Sequence, residues 1–177
     1  MNSNAPEHPI QIRAAEPSDL SAFKELRLQA LRDHPEAFSA DYQLHERAND
    51  EFWNRYFDFN DDATIYLALD EQRLIGMTGV RLEYSPKTRH SAFIWGVYVQ
   101  PQWRGRRIAE ALINACLEWA LARGALIAKL GVATTNASAI RCYERCGFTT
   151  YGREPMAILH AGAYLDEFLM SRSLHKA

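Results

Sequence analysis

The chain has 177 residues, the length of one ordinary domain, and its 47% hydrophobic content is enough to build and cover a single core. Its 20 Lys and Arg against 22 Asp and Glu give a formal charge of -2; this excludes the global basic field of a nucleic-acid binder and makes any anion site a local one. No apolar run approaches the roughly 18 residues of a membrane span, residues 1–9 lack the layout of a signal peptide, and three cysteines without CxxC spacing fit no disulfide framework, so a cytoplasmic protein is expected.

Residues 1–9, with Pro6 and Pro9, read as a disordered tail, and the folded domain is expected over 10–174. Ile10 and Ile12 alternate with polar neighbours as in a strand; Pro17, Ser18 and Asp19 then supply helix-start chemistry ahead of Leu20, Phe23, Leu26 and Ala30 at helical spacing. A second helix over 51–59 carries Phe52, Trp53, Tyr56 and Phe59 on an aromatic face. Segments 63–69 and 74–84, parted by Asp70, Glu71 and Gln72, read as a hairpin. Residues 93–99 are apolar on both faces, as in a covered central strand, and Gly96 within them marks a bulge or a close backbone approach. After Pro101 the clearest helix begins, with Ile108, Leu112, Cys116 and Ala120 on one stripe and Gly124 at its end. A strand over 127–133, a helix capped by Asn136 and closed by Gly147, and strands over 148–153 and 164–170 complete the chain. Cys142 and Cys146, four apart, lack further metal ligands nearby and fit a buried stripe with Ala139 and Tyr143, so no metal is expected. This order predicts an α+β protein: about seven strands in one sheet with about four helices over it.

The segment Gln102, Trp103, Arg104, Gly105, Arg106, Arg107, Ile108, Ala109 carries the functional signal. Three arginines fall in the first turn of this helix, where the peptide dipoles disfavour cations by about 0.3–1 kcal/mol each. A bound phosphate removes the conflict, because first-turn N–H groups, dipole and guanidinium forks all favour an oxyanion at one place, and Gly105 lets the backbone come close. The alternative is a solvated loop with its arginines in water. Neither GxxxxGK[ST] nor GxGxxG is present.

Gln102, Gly105 and Arg107 resemble the Q/R-x-x-G-x-G/A motif of the GNAT acetyltransferase superfamily, with Arg107 where Gly or Ala is usual; a side chain is tolerable there if φ is negative. Asn136, Ala139, Tyr143, Gly147 and Phe148 match the same family's N-x-x-A-x-x-x-Y-x-x-x-G-F signature, and residues 152–155 with 164–167 look like one uncharacterised branch. The resemblance implies the acyl-CoA N-acyltransferase fold, a mostly antiparallel mixed sheet splayed in the middle. In it acetyl-CoA runs along Val97, Tyr98 and Val99 and rests its pyrophosphate on residues 102–109, with Asn136 helping to hold it. Tyr143 becomes the proton donor to the leaving thiolate, and a strand-end Glu83 the base, with Glu154 and His90 as rivals. The acceptor is a primary amine, on a small molecule or on a protein or peptide; Phe52, Trp53, Tyr56 and Trp95 offer an aromatic wall for it, and the terminal strands could pair two copies into a homodimer. A non-catalytic acyl-CoA sensor and a plain structural domain stay open as alternatives.

Overall fold

In chain order the elements are β1 (Gln11–Ala14), α1 (Leu20–Asp33), α2 (Tyr42–Glu46), α3 (Asp50–Asn54), β2 (Ala63–Asp70), β3 (Arg73–Leu82), β4 (Ser91–Val99), α4 (Ile108–Ala122), β5 (Ile127–Ala133), α5 (Ala137–Arg145), β6 (Thr149–His160) and β7 (Ala163–Ser173). The structure, a computed structural model, describes residues 9–58 and 62–175; most of the expected tail, and Phe59, lie outside the described residues. The strands form one sheet in the order β1-β2-β3-β4-β5-β7-β6, antiparallel throughout except for β4 and β5. The edges of the sheet are β1 and β6, while β7, the last strand of the chain, lies inside it.

Five α-helices are present among the described residues, one more than expected. The additional α2 is five residues long, started by Asp41, whose side chain accepts from the Leu44 N–H at 2.8 Å; so short an element carries no periodicity to read. The expected 51–59 helix is α3, ending at Asn54, with Tyr56 in the turn that follows. The last two strands run past their expected ends as one long hairpin turning at Ala161 and Gly162. Pro155 does not stop β6, because the register shifts between Glu154 and Ile158 and an edge strand has no outer ladder to lose.

One face of the sheet is covered by α4 and α5, burying Ile113, Cys116, Leu130, Phe148 and Met170. Cys142 and Cys146 join this core as buried thiols. The other face is covered by α1 and α3 through Phe23, Leu26 and Trp53 on Ile65, Leu67 and Met77. Each large side chain so buried contributes about 1.5–3 kcal/mol. No helix among the described residues is long and apolar enough to cross a membrane.

The middle of the sheet sets up the site. β4 and β5 pair in parallel at Ser91↔Ile127, Ala92↔Ala128 and Phe93↔Lys129 and then separate, so the splay is present. Gly96 is the expected bulge: its φ is 67°, and the register with β3 shifts between Met77 and Gly79. Beyond Phe93 the β5-facing edge of β4 carries peptide groups without a ladder partner, and such groups must be satisfied by something else.

Candidate active site

A cavity of about 690 Å³ opens where β4 has parted from β5, bounded by the C-terminal end of β4, the start of α4 and the exposed side of α5. Its walls include Val97, Tyr98 and Val99, then Arg104, Gly105, Arg107, Ile108 and Ala109, and across the gap Asn136 and Tyr143. Ten of the expected residues therefore meet around one space. Gln102 and Arg106 do not: the Gln102 amide donates to the Gln100 side chain at 3.1 Å, and the Arg106 guanidinium stacks 4.7 Å from the Trp103 ring centroid.

The start of α4 has no side-chain cap, so its first N–H groups face the cavity without intrahelical partners. Arg107, the N-cap residue, has φ 58° and ψ 20°, so the negative φ under which a side chain is tolerated at this position is not met. The backbone turns left-handed here to bring the N–H groups round; this gives a reason for glycine at the matching family position and costs a side chain roughly 1–2 kcal/mol. Arg107→Gly is therefore expected to hold or raise the melting temperature while weakening coenzyme A binding about ten-fold through the lost guanidinium, read by thermal melts and calorimetry. Arg104 is not aimed outward like a free phosphate clamp. Its Nε donates to the Val99 carbonyl at 3.0 Å and its Nη2 lies 2.8 Å from His34 Nε2, tying the end of α1 to the end of β4.

On the far wall Asn136 accepts from the Ala139 N–H at 3.2 Å, capping α5, and so fixes the helix that presents Tyr143. Tyr143 is 7% exposed, packs on Phe148 and borders both this cavity and a smaller one of about 70 Å³ between the separated strands. Burial pushes its phenol above the usual range, helped by the neighbouring Cys142 and Cys146 thiols and by Glu167. Glu110 and Arg145 pair at 2.6 Å, linking α4 to α5 beside the cavity.

Two of the proposed bases are misplaced. Glu83 bonds through its N–H to the Ser91 carbonyl, at the start of β4, and His90 sits in the same turn. Six residues of strand, about 20 Å, separate Ser91 from Val97. The reversal of direction between β3 and β4 is what sends Glu83 away. Glu154 stands on β6 opposite Glu167 of β7. Of the aromatic wall, Trp53 is a core residue at 1% exposure, whereas Trp95 borders the smaller cavity with Tyr56 against it at 5.6 Å.

Two charged residues near the smaller cavity have no role assigned from the sequence, although Glu167 falls in the 164–167 segment. Arg27 is buried in α1; its signal was a cation in phase with Phe23 and Leu31 on an apolar stripe. Glu167 pairs in register with Ala133 and had no comparable signal in a mixed polar and apolar strand. Burial, then Glu154, raises its carboxyl above the ordinary range. The folded protein thus binds this proton more tightly than the unfolded chain does, so the stability contributed at low pH is lost as pH rises from the unfolded value, about 4.3, through the raised one. Glu167→Gln is expected to melt higher than the parent near neutral pH and to lose that advantage in acid, in melts across the pH range.

The sequence profile described as the acetyltransferase (GNAT) family matches residues 25–148. Among curated proteins the chain is 26% identical over 167 residues to L-amino acid N-acetyltransferase AaaT of Escherichia coli (strain K12), covering 92% of this chain and 97% of that one. It is 30% identical over 139 residues to mycothiol acetyltransferase of Brachybacterium faecium, covering 78% of this chain but 40% of that protein. Among solved structures it superposes on yncA of Salmonella typhimurium, described with its cofactor acetyl-CoA, at a TM-score of 0.80, 20% identity and 96% coverage of each chain, which is a likeness of fold.

Proposed function

As the chain belongs to the acetyltransferase (GNAT) family, we propose that residues 10–174 form its transferase domain, with acetyl-CoA in the seam between β4 and β5 and a primary amine attacking directly in a ternary complex. The protein is an N-acetyltransferase; its relatives do not support a non-catalytic sensor. One observation carries the placement: an unpaired strand edge leads from Tyr143 to an uncapped, left-handed helix start. That run offers hydrogen-bonding peptide groups along its length and an oxyanion cradle at its end, which is the donor set a pantetheine diphosphate needs.

Acetyl-CoA supplies an acetyl thioester. The N–H groups of the first turn of α4 and the Arg107 guanidinium hold the diphosphate, with Gly105 leaving room for it, while Val97, Tyr98 and Val99 receive the amide-bearing arm. A β4 N–H at the bulge polarises the carbonyl as negative charge develops on its oxygen. The amine lone pair forms the C–N bond and the C–S electron pair leaves on sulfur. In the net reaction the proton lost by nitrogen appears on the thiol. The Tyr143 hydroxyl donates a hydrogen bond at the sulfur position. We place the reaction in the cytoplasm.

The test is calorimetry with coenzyme A, followed by thiol release from acetyl-CoA against a panel of amines. Binding with acceptor-dependent release supports the reading; no heat and no thermal stabilisation at millimolar coenzyme A overturns it.

A further inference from the structure

Two charges left without a task by this chemistry flank the smaller cavity, one on each side of the seam. Arg27 rises from α1 and is 5% exposed. Its Nε and Nη1 have no hydrogen-bond partner, and its guanidinium lies 5.0 Å from the Phe38 ring centroid and 5.9 Å from that of Trp95. No carboxylate among the described residues pairs with it; the Tyr56 hydroxyl is the polar neighbour favouring its charge. It meets β4 at Gly96, where an added Cβ would stand 3.3 Å from Nη1. From the other side Glu167 meets β5 at Gly131, where an added Cβ would stand 2.9 Å from Oε2. Phe38, Trp95, Gly96 and Gly131 are all walls of the one cavity, and Tyr143 closes it on the transfer side. The missing side chains let Arg27 and Glu167 come up against Gly96 and Gly131, the glycines that line this cavity.

A buried guanidinium without an anion is costly to keep, and the cost is offset when a ligand supplies the anion. Resting on the transferase reading above, we propose that the acceptor is an amino acid or a compound with the same head group. Its carboxylate accepts from Arg27 and its amino group lies on the Glu167 side, next to the thioester position. A polyamine has no anion to offer Arg27. A protein lysine or N-terminal residue has its own carboxyl tied up in a peptide bond.

The experiment compares three matched sets of acceptors at saturating acetyl-CoA: free amino acids, their amides and their decarboxylated amines, read by thiol release. Calorimetric titration of the same compounds into protein saturated with coenzyme A gives a second readout. Amino acids are expected to exceed their amides by at least about a hundred-fold in kcat/KM, since a site built for a polar group rejects the analogue that leaves it unpaired. Arg27→Met, which keeps the volume and removes the charge, is expected to abolish that preference by raising the amino-acid KM while turnover of amides persists. Should this variant not fold, the comparison in the parent protein decides alone, and Glu167→Gln, at a half-buried position, should weaken amino-acid binding in the titration. Equal turnover of acids and amides overturns the proposal and leaves the transferase reading standing, as does coenzyme A binding with no amino acid acetylated. Failure to bind coenzyme A removes both.

Discussion

Replacing Tyr143 with phenylalanine should lower turnover about a hundred-fold and leave coenzyme A affinity unchanged, the size typical of losing one positioned proton donor. The variant keeps the ring, which packs edge-on to Phe148 with centroids 6.3 Å apart in the core between α5 and the sheet, so the fold and the cavity wall are retained. Only the hydroxyl is lost. Because burial, the two thiols and Glu167 all hold the phenol protonated, it remains a donor through neutral and mildly alkaline pH. The loss should therefore be uniform across that range, with both proteins tracing pH profiles of one shape. A phenol so weakly acidic stabilises the leaving sulfur by hydrogen bonding as the C–S bond lengthens. Unchanged kcat in the variant removes Tyr143 from this role.

Gly79→Ala is expected to destabilise the protein by about 1–3 kcal/mol, a fall in melting temperature of roughly 2–4 °C per kcal/mol for a chain of this size. Gly79 faces Trp95 in the β3–β4 register, and a methyl group there would overlap Cε2 and Cζ2 of the indole. A packed ring cannot swing clear as a flexible chain end can. Trp95 is held by Tyr56 at 5.6 Å and lies against Arg27, so a displaced indole disturbs the wall of the smaller cavity. The acceptor KM should rise while the dissociation constant for coenzyme A, which we place on the other side of the bulge, stays within about two-fold. Thermal melts and steady-state kinetics read the two effects separately, and an unchanged melting temperature means that the indole does not occupy that place.

Local rules made most of the fold legible. The 127–133 strand and the α4 stripe were read nearly to the residue, because periodicity, a turn and a closing glycine agreed there. The pairing of Ile127 with Ser91 is set by which strands become neighbours, and only the family resemblance carried it. Around the site, backbone chemistry was legible where side-chain direction was not. The arginines expected in the first turn of the helix precede it, since α4 begins at Ile108 with Arg107 as its N-cap; Arg104 turns inward to the Val99 carbonyl and Arg106 lies on Trp103, contacts that depend on partners distant from each residue's local pattern. The positive φ of Arg107 has a local setting, the bend between a 3-10 turn at Pro101–Trp103 and α4. Glu83 lies at the far end from the cavity because a strand has two ends and its local pattern does not say which one meets the site. Arg27 could have been found: a lone cation in phase with Phe23 and Leu31 is a conflict of the same kind as the arginine cluster.

The three residue pairs that join β4 to β5 work like the spine of a book whose covers are the β1–β4 and β5–β7 leaves. No ladder pair joins residues 94–99 to β5, and the 3-10 turn at Pro35–Ala37, which follows α1, reaches across to β5 and β6. In the placement we propose, a thioester arm lying in this seam would pair with the free edge of β4 and tie the two leaves together.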